Sequence, residues 1–258
     1  MSGVKNRVAL VTGAGSPDGI GFATARLLYS VGARVAITST TDRINQRCDE
    51  IKGTSEDVFS QTADLTDSTA VNSLIEQIEN VLGPIEIVVN NAGMVQIGRD
   101  EPSTLFHEVS DEQWRYGIEI NLTSAFMVTR AVLTGMMERN YGRIINISSV
   151  TGPSVGIAGS SVYSAAKAGM LGMTRAHAIE SGPNNVTVNC IGPGWIETAS
   201  SGDSEIEAGK FTPIGRSGTP EEVGNVAVFL ASEEASYVTG QLLIVDGGNT
   251  IQEYKVAF

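Results

Sequence analysis

Apolar residues follow two different spacings along this chain. Seven short apolar runs, rich in β-branched residues and bounded by turn-forming residues, predict buried strands at 7–12, 34–39, 58–61, 85–89, 144–147, 186–191 and 241–245. Segments between them carry apolar residues three or four positions apart, which is typical of helices that pack on one face. Strands that alternate with helices predict a doubly wound α/β fold, in which helices cover both faces of one seven-stranded parallel sheet.

The fifth predicted strand leads into the clearest chemical pattern of the chain. It ends in Ser148 and Ser149, and a loop rich in glycine and serine then joins it to a helix that carries Tyr163 and Lys167. Open α/β sheets bind ligands at the carboxyl ends of their strands, where this serine pair lies. Tyr163 and Lys167 share a helix face, so the cation can lower the pKa of the phenol from about 10 by roughly one to three units. The pattern favours Tyr163 as a general acid and base; the alternative is a chance pair on an exposed helix.

A glycine-rich turn follows the first predicted strand. It reads GAGSPDGIG and places Gly13 for a tight turn, Gly19 for close approach of the backbone to a pyrophosphate, and Gly21 for helix packing. Ile20 belongs to the same predicted phosphate-binding turn. The helix that follows offers unpaired N–H groups and a dipole that favours an anion. A strand, a turn and a helix in this order predict a dinucleotide site, whereas glycine in a turn alone serves only the turn.

The end of the second predicted strand bears on the choice between NAD and NADP. An acidic residue there would bind the ribose 2′-hydroxyl of NAD, but the sequence has Ser39 and Thr40, with Arg43 close behind. Hydroxyls and a guanidinium suit a 2′-phosphate, so they favour NADP(H). Asp18 opposes this interpretation, because it places an acid in a glycine turn that has no basic residue. We therefore predict NADP(H), with NAD(H) as the alternative and a merely solvated Arg43 as the competing interpretation of that residue.

Composition excludes several classes of protein. The chain has 258 residues, with 17 Lys and Arg against 29 Asp and Glu, and a net charge of -12. This charge argues against nucleic acids and anionic membranes as partners. The two cysteines form no metal or redox motif and no segment has the apolar length of a membrane span, so we expect a cytoplasmic protein without a metal. The length fits one domain that covers 1–258.

Further motifs continue to the end of the chain. They are Asp64-Leu65, Asn90-Asn91-Ala92-Gly93, Asn121, Pro193-Gly194, Gly215-Arg216, Pro220-Glu221-Glu222 and Val245-Asp246-Gly247-Gly248. Together with the glycine turn, Ser149 and the Tyr163-x-x-x-Lys167 pair, their order and spacing resemble the short-chain dehydrogenase/reductase family in its compact single-domain form. The resemblance covers nearly the whole chain. It implies a Rossmann-type sheet and an NAD(P)-dependent oxidoreductase.

The resemblance also implies a role for each matching residue. Ser149 would bind the carbonyl oxygen of the substrate, Tyr163 would transfer the proton, and Asn121 would retain a water that links Lys167 to solvent. Ser148 is expected to face the packed side of the strand. The cofactor contacts that the resemblance implies are Asp64 and Leu65 at the adenine, Asn90 and Gly93 at the riboses, Tyr163 and Lys167 at the nicotinamide ribose, and Pro193, Ile196 and Thr198 at the nicotinamide.

The region around the predicted substrate pocket departs from the usual family pattern. The segments 94–109 and 149–163 are longer than usual, so relatives are a poor guide to the substrate. The polar, acidic segment 195–216 suits a substrate lid, with an ordinary long surface loop as the alternative. Trp195 in this segment is the candidate for contact with an apolar or aromatic substrate, or else anchors the lid to the core.

These patterns predict an enzyme that interconverts a secondary alcohol and a ketone by hydride transfer, with a small-molecule alcohol or ketone as its partner. The alternatives are a 3-oxoacyl-carrier-protein reductase and a non-catalytic, cofactor-binding regulatory protein on the same fold. The resemblance implies a homotetramer, with interfaces expected at the apolar tail 252–258 and at predicted helices over 110–138 and 163–181.

Overall fold

One parallel sheet forms the centre of the protein in the computed structural model, which describes residues 1–53, 55–94 and 104–253. Its strands are β1 (Val8–Thr12), β2 (Arg34–Ser39), β3 (Val58–Thr62), β4 (Ile85–Asn90), β5 (Gly142–Ile147), β6 (Val186–Pro193) and β7 (Leu242–Val245). They lie in the order β3-β2-β1-β4-β5-β6-β7, and each neighbouring pair is parallel. The predicted fold class is therefore confirmed. Since the strand order reverses between β1 and β4, a crevice for ligands is expected at their carboxyl ends.

Helices cover both faces of the sheet. They are α1 (Ile20–Ser30), α2 (Arg43–Lys52), α3 (Ser68–Leu82), α4 (Asp111–Ile118), α5 (Ser124–Glu138), α6 (Ser161–Ser181), α7 (Asp203–Gly209) and α8 (Pro220–Ala231). Alternate residues of β1 point to opposite faces: Ala9 and Val11 pack with α1, α2 and α8, whereas Val8 and Leu10 pack with α3 and α5. Two apolar cores thus hold the sheet edge in a fixed position. No helix of the described residues is both long and apolar enough to cross a membrane.

Two predicted elements differ from the structure. The sixth strand was expected to stop before Gly192, but it continues through Pro193, which pairs with Val245 on β7. A proline fits there because it is the last residue of the strand and its carbonyl still accepts a hydrogen bond from Val150 N–H at 3.0 Å. The single helix predicted over 110–138 is instead divided by a π-helical segment, Glu119–Thr123. The insertion residues 95–103 and the tail residues 254–258 lie outside the described residues.

Candidate active site

The two serines at the end of β5 have different surroundings. Ser148 is buried, and its hydroxyl donates a hydrogen bond to Lys167 O at 2.9 Å. Ser149 instead accepts a hydrogen bond from Thr151 N–H at 3.0 Å. Within the described part of the chain no group accepts the Ser149 proton, so this hydroxyl can donate to a ligand.

Close backbone contact fixes the serine loop against the start of α6. Gly152 has φ +101°, and a Cβ there would lie 2.3 Å from Ser164 O. Only glycine fits both the backbone angle and the space. The loop that follows Ser149 therefore rests directly on the helical turn that carries Tyr163.

Tyr163 and Lys167 lie on the same face of α6, as their spacing predicts. The Lys167 ammonium lies 5.5 Å from the centre of the Tyr163 ring. It also donates a hydrogen bond to Ile147 O at 2.9 Å, although the side chain is only 3% exposed. The carbonyl at the end of β5 therefore holds a buried cation beside the phenol.

Asn121 sits in the π-helical segment and connects α4 to the segment that follows β4. Its Nδ2 donates to Gly117 O at 3.1 Å, and its Oδ1 accepts from Met94 N at 2.8 Å. A Cβ on Gly93 would lie 2.8 Å from that Oδ1 and 3.4 Å from Lys167 Nζ, so the three residues are in close contact. A cavity of about 30 Å³, enough for one water, borders both Asn121 and Tyr163.

The glycine turn is shaped by main-chain contact with the end of β4. Gly13 has φ +68°, and a Cβ there would lie 2.8 Å from Ala92 Cα. The Asn91 amide donates to Thr12 O and Gly13 O, each at 3.1 Å, and so ties the end of β4 to the glycine turn. Gly19 precedes the first residue of α1 and provides no side chain to cap the helix. The first N–H groups of the helix are therefore left for another acceptor. The turn therefore fits a pyrophosphate.

The end of β2 brings a hydroxyl and a guanidinium to this turn. A Cβ on Gly15 would lie 2.7 Å from Arg43 Nε and 3.0 Å from Ser39 Oγ. Ser39 Oγ also donates to Thr41 O at 2.9 Å. Asp18 is exposed. The donors that suit a 2′-phosphate are thus adjacent to the turn.

Two of the other predicted cofactor residues, Asn90 and Leu65, have side chains committed to the core, and a third, Asp64, is exposed. The Asn90 amide donates to Thr129 Oγ1 and Asn146 Oδ1 in the core, at 3.0 and 2.8 Å. The Leu65 side chain packs in the core beneath α3, and the Asp64 carboxylate accepts from Thr66. The side chains of Asn90 and Leu65 therefore do not point to a ligand, and only their main chains remain for one. Sequence spacing could not show whether the side chain or only the main chain of such a residue is available to a ligand.

A cavity of about 640 Å³ opens at the carboxyl ends of β4, β5 and β6. The predicted residues that it brings together are Ile20, Gly93, Ser149, Tyr163, Lys167, Pro193, Ile196 and Thr198. Trp195 also lines it, as expected for a substrate contact, and so does the short helix α7 of the segment 195–216. The lining residues that the sequence did not indicate include Thr151, Val155, Ile157, Ile206, Phe211 and Asn249. They lie in loops and a short helix without a regular apolar pattern, so no periodicity could have found them.

Known proteins resemble this chain along nearly its whole length. Residues 13–250 match a family model described as enoyl-(acyl carrier protein) reductase. The chain is 37% identical over 254 residues to BbsD of Thauera aromatica, a subunit of (2S)-((R)-hydroxy(phenyl)methyl)succinyl-CoA dehydrogenase, with 96% of this chain and 98% of the relative covered. It is 39% identical over 248 residues to the 3-oxoacyl-(acyl-carrier-protein) reductase FabG of Escherichia coli (strain K12), with 95% and 97% covered.

Solved structures also resemble this chain along nearly its whole length. A putative gluconate dehydrogenase from Agrobacterium tumefaciens superposes with a TM-score of 0.87 at 32% identity, over 96% of this chain and 97% of the other. A mutant of a Serratia marcescens short-chain dehydrogenase/reductase superposes with a TM-score of 0.84 at 30% identity, over 96% and 99%. The fold and the site thus define a Rossmann-type oxidoreductase. This chain belongs to the short-chain dehydrogenase/reductase family.

Proposed function

We propose that the chain is an NAD(P)-dependent enzyme that interconverts a secondary alcohol and a ketone. The observation that carries this proposal is the meeting of Ser149, Tyr163 and Lys167 at one cavity, next to Gly93 and Ile20. A hydrogen-bond donor, a proton donor and a cation lie there within reach of one bound carbonyl group.

The cofactor would lie along the carboxyl edge of the sheet and, when bound, would supply the hydride that the carbonyl carbon accepts. Its proposed contacts are the turn of Gly13, Gly19 and Gly21 at the pyrophosphate, Ser39, Thr40 and Arg43 at the 2′-phosphate, Asp64 and the main chains of Leu65 and Asn90 at the adenosine, and Gly93, Pro193, Ile196 and Thr198 at the nicotinamide half. The proximity of Arg43 and Ser39 to the glycine turn supports NADP(H) over NAD(H).

Tyr163 would move the proton. In the reductive direction its hydroxyl protonates the carbonyl oxygen while the carbon gains the hydride, so the ketone leaves as a secondary alcohol; in the oxidative direction the phenolate takes the proton back. Ser149 would donate a hydrogen bond to the same oxygen, and the Lys167 ammonium would stabilise the phenolate. Asn121 and the adjacent small cavity would hold the water through which the proton is restored.

A screen of NADH and NADPH oxidation against a panel of ketones, read in both directions, tests the proposal. In Tyr163→Phe, turnover should fall about a hundred- to ten-thousandfold, because the proton donor alone is removed, while NADPH affinity stays within a few-fold. Tyr29→Phe makes the same chemical change on α1, away from the main cavity, and should leave turnover unchanged. Near-normal turnover in Tyr163→Phe would refute the mechanism.

A 3-oxoacyl thioester reductase is the second candidate, since FabG proteins are among the relatives. If this candidate is correct, kcat/KM for a 3-oxoacyl thioester included in the panel should be far above kcat/KM for simple ketones. A regulatory protein would instead bind the cofactor and turn over none of the panel. Both outcomes emerge from the same screen.

The homotetramer and the cytoplasmic location remain predictions. Phe126 on α5 and Ile179 on α6 are exposed apolar residues on two of the helices expected at subunit interfaces. Exposed apolar side chains on adjacent helices favour association. Light scattering of the purified protein would measure the mass of the assembly directly.

A further inference from the structure

The charged groups at the main cavity are few and unevenly placed. Among the described lining residues, the charged side chains are the Lys167 ammonium and the Glu205 carboxylate. Lys167 donates to Ile147 O and lies beside Tyr163, so its charge already serves the proposed proton transfer. Much of the substrate wall is apolar, and Val155, Ile157, Trp195, Ile206 and Phe211 line it. A substrate anion would therefore have no further cation to pair with among these residues.

Glu205 is held at the cavity by its own helix. It lies in the first turn of α7, where its Oε2 accepts a hydrogen bond from Gly202 N–H at 2.9 Å. Within the described part of the chain, Oε1 has no hydrogen-bond partner. The helix cap thus uses one oxygen and fixes the position of the carboxylate, and the second oxygen is left for a donor outside the helix.

We propose that Glu205 is a specificity-determining residue that selects substrates by charge. The site accepts carbonyl compounds with an apolar body whose far end, away from the carbonyl, is uncharged or carries a hydrogen-bond donor or an ammonium group. It rejects compounds whose far end carries a carboxylate, sulfate or phosphate. This inference rests on the proposed function, because it assigns the cavity to a carbonyl substrate. Its physical basis is repulsion between the Glu205 carboxylate and a like charge in the same cavity.

Two probes of nearly equal size test the proposal: 4-acetylbenzamide, which is neutral, and 4-acetylbenzoate, which is an anion. Calorimetric titration with NADP⁺ present, which cannot reduce the ketone, gives a dissociation constant for each. We expect the wild type to bind the amide roughly tenfold more tightly than the carboxylate, a difference of about 1.4 kcal/mol. In Glu205→Gln, the two dissociation constants should come within about threefold of each other, because the charge is gone while the amide oxygen can still cap Gly202.

Glu207→Gln is the matched control. Glu207 lies on the same helix but is exposed and paired with Lys210, so its loss should leave the ratio of the two dissociation constants unchanged. Melting temperatures of both variants should stay close to the wild type. Equal binding of the two probes by the wild type, no binding of the amide, or an unchanged ratio in Glu205→Gln would each overturn the proposal.

The binding ratio does not depend on catalysis. If the ratio follows these expectations while no ketone is reduced, the proposed function fails and the charge selection by Glu205 stands. If ketones are reduced while the ratio is the same in wild type and Glu205→Gln, the proposed function stands and the charge selection by Glu205 fails.

Discussion

Substitution of Gly152 by alanine should damage both the stability and the activity of this protein. A Cβ at this position would lie 2.3 Å from Ser164 O and 3.0 Å from Ser164 C and Cα, all of which are main-chain atoms. Main-chain atoms cannot rotate away as a long side chain could. The loop and α6 must therefore separate by about 1 Å to restore van der Waals contact.

Two free-energy costs determine how far this substitution destabilises the protein. Alanine at φ +101° carries backbone strain of about 1–3 kcal/mol, and the forced displacement of a packed segment costs about another 1–3 kcal/mol. At about 2–4 °C per kcal/mol for a domain of this size, the melting temperature should fall by roughly 5–20 °C. Because the same displacement separates Ser149 from Tyr163, kcat/KM should fall about a hundredfold.

Thermal unfolding followed by circular dichroism, together with NADPH oxidation on a ketone that the wild type accepts, measures both effects. Gly156→Ala is the control: it lies in the same loop, a Cβ there would have nothing within 4 Å, and its φ is outside the left-handed region. That variant should keep the wild-type melting temperature. If Gly152→Ala keeps the wild-type melting temperature and kcat/KM, or if Gly156→Ala loses as much, the contact with α6 does not position the site.

Two further predictions concern cofactor choice and pH. The wild type should bind NADPH at least as tightly as NADH. Ser39→Asp should shift the preference towards NADH by tenfold or more, because a carboxylate beside Arg43 repels a 2′-phosphate. A fluorescence titration in which the wild type is already selective for NADH would contradict this prediction. Hydrogen bonds from Arg216 and Thr219 lower the pKa of the exposed Glu222 carboxyl to about 2. These contacts should therefore stabilise α8 fully above the carboxyl's unfolded pKa, and their contribution should be lost progressively as pH falls from that value through about 2. Glu222→Gln should therefore lower the melting temperature by only about 1–3 °C, equally at pH 6 and pH 8, and a loss confined to one of these two values would contradict the assignment.

Local sequence predicted the fold and several of the residues that line the candidate site. The spacing of Tyr163 and Lys167 on one helix face, and the position of Ser149 at a strand end, follow from the geometry of helices and sheets. The cavity walls could not be predicted in this way. Phe211 and Ile206 line the same cavity as Tyr163 because the chain returns over the sheet edge after β6, and a loop has no regular apolar spacing that would predict such a return.

The sequence by itself determined the order of elements, the parallel sheet and the chemistry that can occur at its edge, because each depends on residues close together in the chain. The tertiary structure decided which polar groups remain available. Asn90 and Asn121 are both buried amides, yet the Asn90 nitrogen donates to Thr129 and Asn146 in the core, whereas the Asn121 side chain bonds Gly117 and Met94 beside a water-sized cavity that Tyr163 also lines. A buried polar group must find partners, and the packing of distant segments determines whether those partners belong to the core or to a site.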